Sequence, residues 1–428
     1  MKNRINQGHC ERSEAISLLA MTVSLALLLS GCAAPQKLQP ILETIPPAEL
    51  TWAEDLPIIH LSGSPYAMGY QHGSVLRKQV QASVANVMAF VNRGLGIPVV
   101  GGWLARRALD RAWAKMEPFI PTRYSEELEG LADGAGIPLK TLRRVHALPE
   151  RMATTCASFA AFGQATQDGR MIQARNLDWA IRADVQRYAA VFVHRPAGRI
   201  PFVSAGWLGF MGVISGINRQ GISVGEIGAG TADSTLEGIP MPFLLRRVLE
   251  ESDRLDQAVS LVQAAPRTGG YNYLFADAAE KKAAALETTR RRCAVFWADQ
   301  EGEKARDNPY AVLVPNAIFR SDWALDPEVR DSQWACGGNP KRPGLEPPIG
   351  SKAYGVRYWG QGQLIRRFYG KIDPETAMAI ARAIAPSSNI QSVVYAFPEM
   401  WVANAAGRKA AALGKYVQLD LRDLLKKE

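Results

Sequence analysis

With 428 residues, 47% of them hydrophobic and 21% charged, the chain can bury a large core, which excludes an intrinsically disordered polypeptide. Its formal charge of +9 is scattered in short groups such as Arg106-Arg107, Arg290-Arg291-Arg292 and Arg366-Arg367, with no aromatic-interleaved basic module of the kind that nucleic-acid binders carry. The five cysteines, Cys10, Cys32, Cys156, Cys293 and Cys336, include no C-x-x-C pair, which speaks against a disulfide framework or a zinc site.

The amino terminus reads as an export signal over residues 1–31. Basic residues come first, and the apolar run from Ile16 to Leu29, about 14 residues, is too short for a hydrocarbon core of roughly 30 Å. Leu29-Ser30-Gly31-Cys32 then resembles the lipobox of bacterial lipoproteins, in which cleavage precedes the cysteine that carries the lipid. Residues 32–57 hold Pro35, Pro40, Pro46, Pro47 and Pro57, a composition that disfavours helix and predicts a semi-extended tether. Ala33, rather than Asp, after the lipid-bearing cysteine resembles lipoproteins bound for an outer membrane, facing the periplasm.

From residue 58 a short strand runs into Gly/Pro punctuation around Gly63, Pro65, Gly69, His72 and Gly73. Apolar spacing then predicts helices over 74–91, 103–117, 122–134 and 139–148, so 58–155 is mostly helical. At Cys156 the pattern changes. Two short apolar stretches flank the turn pair Asp168-Gly169 and read as a hairpin carrying Cys156, Arg175 and Asp178 to one end of a sheet. Strands are predicted at 188–194, 202–205, two around Asn218-Arg-Gln-Gly221, 271–276, 283–288 and 310–314, with a final hairpin at 393–397 and 401–403. Helices are predicted within 240–264 and at 357–369 and 374–384. This order fits stacked sheets covered by helices better than a regular βαβ alternation.

The spaced motifs Gly63-x-Pro-Tyr66-x-x-Gly69-x-x-His72-Gly73, Cys156 to Trp179, Gly216-Ile-Asn218-x-x-Gly221, Asn272-Tyr-Leu-Phe-Ala-Asp277 with Glu287, and Val393-Val-Tyr395-Ala-Phe-Pro398 together resemble the acyl-CoA:6-aminopenicillanate acyltransferase family of N-terminal nucleophile hydrolases, related to bile-salt hydrolases and N-acylethanolamine acid amidases. The resemblance covers residues 58–410 and implies an α+β fold, an αββα sandwich of two antiparallel sheets, with the hydrolase domain over 156–428. It also implies self-cleavage of the Thr155-Cys156 bond, after which Cys156 holds both a thiol and an α-amine. An α-amine titrates near neutral pH, so it can take the thiol proton.

By the same resemblance Arg175 sits near the thiolate, Asp178 orients the new amine and Asn316 donates to the oxyanion, although Pro315-Asn316-Ala317 departs from the family's usual Thr-Asn-His or Thr-Asn-Asn. Arg357 is matched to a later family arginine, with Arg366 as competitor. A buried salt bridge is the bland reading of Arg175 and Asp178. Cys293 and Cys336 read as packed thiols, and Asn272 as either a second donor or a strand-edge amide.

The expectation is an amidohydrolase or acyltransferase acting on linear C–N amide bonds of a small acyl-amide substrate, needing no metal or organic cofactor and no nucleic acid. One alternative is an unprocessed thiol hydrolase with His72, His146 or His194 as base, and another is a catalytically silent envelope lipoprotein. The anchor is tested directly: the mature protein is expected to partition into detergent, and Cys32→Ser to release or misprocess it. Membrane association identical in wild type and variant would overturn the lipoprotein reading.

Overall fold

A computed structural model describes residues 45–93, 100–152, 155–300, 311–333 and 355–426. The export signal, Cys10, Cys32, the tether up to residue 44 and Cys336 lie outside the described residues. The chain divides into two units, Met1–Pro46 and Pro47–Glu428, and the second carries every element below.

Two sheets form the centre. The larger has the order β1 (Glu49–Ala53), β2 (Leu56–Gly63), β5 (Ala189–Pro196), β6 (Phe202–Trp207), β7 (Ser215–Asn218), β8 (Ile222–Gly228), β9 (Tyr271–Asp277), β10 (Lys282–Thr288) and β11 (Cys293–Trp297). The smaller runs β12 (Ala317–Ser321), β3 (Thr155–Ala161), β4 (Ile172–Asp178), β13 (Asn389–Ala396), β14 (Glu399–Asn404) and β15 (Val417–Asp420). Strand β3 packs on β8 and β9 across the space between them.

Helices cover both outer faces. Before Cys156 come α1 (Pro65–Val75), α2 (Arg77–Arg93), α3 (Val100–Met116), α4 (Thr122–Ala135) and α5 (Leu139–Ala147). Of the later helices, α6 (Met241–Glu251) and α7 (Leu255–Ala264) lie on β7 to β10. After the short α8 (Pro327–Ser332), helix α9 (Gly355–Arg367) lies on β12 and β3, and α10 (Pro374–Ala383) on β4 and β13. The architecture is the expected αββα sandwich with a helical region ahead of it. Because β3 is covered on both faces, its residues from Cys156 to Ala161 are all buried, which explains their unbroken run of apolar and small side chains.

Four expectations are corrected. The larger sheet is not wholly antiparallel, since β2 and β5 run parallel. The tether ends earlier, because Leu50 and Trp52 pair with β2 as part of β1. Strand β12 begins after Asn316 instead of ending before it: Pro315 has no N–H to donate to a ladder and Asn316 adopts a left-handed φ of 54°, so the chain turns there and extends only from Ala317. The strands β11 and β15 lack a strong sequence pattern and go unpredicted, Cys293 opening the first of them half-buried.

The glycine motif ahead of Cys156 has a packing cause. Helices α1 and α4 cross so closely that a Cβ on Gly69 would lie 1.9 Å from the Glu127 carbonyl oxygen, and one on Gly130 2.1 Å from that of Tyr66. Gly73 and Gly134 meet α4 and α1 backbone in the same way, giving a small-xxx-small contact on both helices. Helix α4 is also tied to the later part of the chain: buried Arg246 on α6 pairs with Glu127 at 2.6 Å and with Glu250 at 2.8 Å. Gly130→Ala is therefore expected to destabilise the fold by about 1–3 kcal/mol or more in denaturant unfolding, the range for overpacking against rigid neighbours. A wild-type midpoint would refute the contact.

Candidate active site

Register sets the site. Strands β3 and β4 pair Cys156 with Leu177, Thr155 with Asp178 and Ser158 with Arg175. Side chains alternate along a strand, so Cys156, Ser158 and Arg175 share the face toward the larger sheet while Asp178 takes the opposite face. Two groups of charges result, one on each side of the Cys156 backbone.

On the inner side Arg175 is 1% exposed and fully engaged. Its Nη1 donates to Ser215 Oγ at 2.7 Å, its Nε and Nη2 donate to the Glu226 carbonyl at 3.1 and 3.0 Å, and Nη2 lies 3.1 Å from Glu226 Oε2. The same Nη2 points at Cys156 Sγ, 3.5 Å away. Glycine at 225 makes the room, since a Cβ there would stand 3.2 Å from Arg175 Cδ. Glu226 Oε2 is 3.9 Å from Sγ. Burial, then the Glu226 charge, raise the thiol pKa well above its usual value, against the lowering pull of Arg175. In the unbroken chain Cys156 is therefore a protonated thiol that needs a base.

On the outer side Asp178 accepts from Asn389 Nδ2 at 3.1 Å and pairs with Arg357 Nη1 at 2.7 Å. Asn389 is held in turn by Leu177 and Gln391 carbonyls and by the Ala412 amide. Burial raises the Asp178 carboxyl even against Arg357. Two further Arg357 nitrogens, Nε and Nη2, are buried with no hydrogen-bond partner among the described residues. The Cys156 N–H itself donates to Asp322 Oδ1 at 2.8 Å, and Asp322 Oδ2 is 3.8 Å from Arg357 Nη1.

The structure thus brings Cys156, Arg175, Asp178 and Arg357 together. Arg366 lies elsewhere, donating to the Leu313 carbonyl. Asn316 is corrected: it sits at the far end of β12, where Ala317 pairs with Ala161, and its amide donates to Asp299 Oδ2 at 2.8 Å. It cannot serve the Cys156 carbonyl chemistry from there. In the intact chain the Cys156 N–H is met by Asp322, while Asp178, expected to orient the α-amine released by cleavage, is engaged by Arg357 and Asn389. Asn272 is an inter-sheet tie, donating to the Ser321 carbonyl at 2.9 Å. Glu226, Asp322 and Asn389 carry no signal in the sequence pattern, since the strand predicted at 310–314 ends well before Asp322 and β12 is placed at Ala317–Ser321 by the structure alone.

The histidine-base alternative is also corrected, since each histidine is committed away from the thiol. His72 Nε2 accepts from the Gly209 amide at 2.9 Å, His146 Nε2 from the Met211 amide at 3.0 Å, and His194 Nε2 lies 3.2 Å from Ser204 Oγ. No cluster of three metal-ligating side chains occurs among the described residues.

An apolar pocket opens beside the site. Leu177 and Trp179, which flank Asp178, line it with Ile214 before Ser215 and Ile390 after Asn389. Val84 and Val87 of α2 and Leu148, all ahead of Cys156, complete the wall with Trp207 and Phe210.

Residues 165–310 match the model of the family described as acyl-coenzyme A:6-aminopenicillanic acid acyl-transferase. The chain is 30% identical over 231 residues to protein dcd1B of Dictyostelium discoideum, covering 49% of this chain and 46% of that one. It is 24% identical over 192 residues to the N-acylethanolamine-hydrolyzing acid amidase of Mus musculus, covering 43% and 52%. The chain spans about half the length of these curated relatives. Among solved structures it is similar to an N-acylethanolamine-hydrolyzing acid amidase ortholog of Caenorhabditis elegans, at 13% identity and a TM-score of 0.40 over 56% of this chain and 92% of that one. A conjugated bile acid hydrolase mutant from Clostridium perfringens gives 14% and 0.41 over 64% and 95%.

The buried histidines predict a pH effect. Burial, with the charges of His146 and Arg246, lowers His72 to about 3; burial lowers His146 to about 4, partly offset by its bond to the Leu142 carbonyl. Above about 6.5 both are neutral folded and unfolded, so they add no pH dependence. As pH falls from there the unfolded chain binds protons that the folded chain refuses, costing about 1.4 kcal/mol per pH unit for each histidine. The unfolding free energy of His72→Gln should fall less steeply than that of wild type between pH 6.5 and 4. Parallel slopes would refute the assignment.

Proposed function

We propose that this chain, whose residues 165–310 match the acyl-coenzyme A:6-aminopenicillanic acid acyl-transferase family, is a cysteine amidohydrolase or acyltransferase that acts on linear C–N amide bonds and matures by self-cleavage before Cys156. The observation that carries the reading is the thiol at the start of β3 with Arg175 at 3.5 Å and a carboxylate on its own backbone nitrogen. Once that nitrogen is an amine, nucleophile and base reside in one residue. The α-amine takes the thiol proton, the thiolate attacks the substrate carbonyl, the substrate's amine leaves with that proton handed on from the α-ammonium, and water or an acceptor amine resolves the thioester and restores the thiol. Arg357, with two buried N–H donors free, replaces Asn316 as donor to the substrate's developing oxyanion.

The wall of Val84, Val87, Leu177, Ile214 and Ile390 favours an aliphatic or aromatic acyl group. The fragments either side of Cys156 would stay associated, because they share this pocket wall and the Arg246–Glu127 pair. The lipobox-like Leu29-Ser30-Gly31-Cys32 supports attachment to a membrane of the bacterial envelope.

Denaturing gels and amino-terminal sequencing of active protein should give a chain beginning at Cys156, and Cys156→Ala should remain intact and inactive. Thiol alkylation should abolish hydrolysis of N-acyl amides while chelators leave it unchanged. Across a series of acyl lengths kcat/KM should rise about fourfold per methylene until the pocket is filled, from about 0.8 kcal/mol per buried CH₂. Activity in Cys156→Ala would move the site elsewhere.

A further inference from the structure

Asp322 is the group that the expected mechanism leaves unused. It is 5% exposed and follows directly on β12, whose pairing sets Arg320 against Ser158 and Ser321 against Ala157. The next step along that ladder brings its carboxyl to the nitrogen of the Thr155–Cys156 bond, with Oδ1 at 2.8 Å. Asp178, the other carboxyl nearby, is taken by Arg357 and Asn389. We propose that Asp322 is the general acid of self-cleavage, giving its proton to the Cys156 nitrogen as the Thr155–Cys156 bond breaks, and then holding the released α-ammonium as its counter-ion.

The inference rests on the self-processing reading and deepens it. The Cys156 sulfur bonds to the Thr155 carbonyl carbon while the thiol proton passes to the Glu226 carboxylate, whose Oε2 lies 3.9 Å from Sγ. The C–N bond then breaks, and the nitrogen, which carries one hydrogen in the peptide, takes a second from the Asp322 carboxyl. A thioester, a primary amine, a neutral Glu226 and an Asp322 carboxylate result. Water hydrolyses the thioester to the Thr155 carboxylate and the Cys156 thiol, and the proton set free converts the amine to ammonium. A nitrogen that left without a proton would be an amide anion, so an acid at this atom is obligatory for a useful rate.

The surroundings suit the task. The Asp322 carboxyl is pushed up to about 7, chiefly by burial and also by the Asp178 charge, against Arg357 and the Cys156 N–H. Among the described residues, the charged or titratable groups that act on it include Arg357, Asp178 and the Cys156 thiol, with Glu226 beyond the thiol. Burial raises the thiol well above its usual range and raises Asp178 as well, so both neighbours share the low-dielectric setting that lets Asp322 hold a proton near neutrality.

The test follows the full-length chain from cell-free synthesis on denaturing gels. Asp322→Asn keeps an oxygen to accept the Cys156 N–H but has no carboxyl proton to give, and cleavage should slow by about 100-fold or more. Hydroxylamine, which cuts thioesters, should not restore a break at Thr155 in this variant, because the amine never departs. Asp322→Glu should recover part of the rate. In wild type the cleavage rate should fall as pH rises above about 7. Equal cleavage in Asp322→Asn, rapid hydroxylamine-dependent cleavage in it, or a wild-type rate that is flat or rising through pH 7 to 9 would overturn the proposal while wild type still matures. A wild type that stays intact would overturn the self-processing reading itself, and this inference with it.

Discussion

Everything at the site depends on one pairing, Thr155 opposite Asp178 at the end of the β3–β4 ladder. Because side chains alternate, that register sends the Cys156 thiol inward to Arg175 and Glu226 and leaves its backbone nitrogen to the outer group of Asp322, Asp178 and Arg357. A slip of one residue would bury Asp178 between the sheets and turn Arg175 to the helices, breaking both groups together. The register is held by the neighbouring strands on both sides, β12 against β3 and β13 against β4.

Cys156, Arg175 and Asp178 were legible in the sequence because they lie on one hairpin, where local pattern fixes geometry. The αββα layering was legible from the order of strands and helices together with the family resemblance. What could not be read came from long-range contact. Glu226 reaches the thiol from the opposite sheet, and Asp322 meets the Cys156 nitrogen across 166 positions. Asn316 misled because an amide at a strand end is the right chemistry, but the Pro315-Asn316 turn puts it at the wrong end of β12. Six residues further on, the strand's other end delivers a carboxyl instead.

The segment ahead of Cys156 is a structural partner, not a removable leader. Its helices supply part of the apolar pocket, and His72 and His146 cap the Gly209 and Met211 amides of the loop that forms the opposite wall. Neutral imidazoles suit this work, since a protonated ring could not accept those N–H groups at Nε2. The Arg246–Glu127 pair crosses the same boundary where both partners are buried, and removing Arg246 would leave the Glu127 carboxyl stranded, at a cost of about 3–5 kcal/mol.

Under the proposed self-cleavage, the electrostatics would make the unbroken chain and the cleaved chain different reagents. In the unbroken chain the Cys156 nitrogen is an amide with no basic lone pair, and burial beside Glu226 holds the thiol protonated. The proposed cleavage would change one atom's chemistry: the same nitrogen would become an amine able to accept the thiol proton and, once charged, would lie against Asp322. In the proposed mature form a positive charge there would oppose the effect of Glu226 on the sulfur and add to that of Arg175, favouring the thiolate for turnover. On this proposal nucleophilicity would be coupled to maturation through the charge on the Cys156 nitrogen.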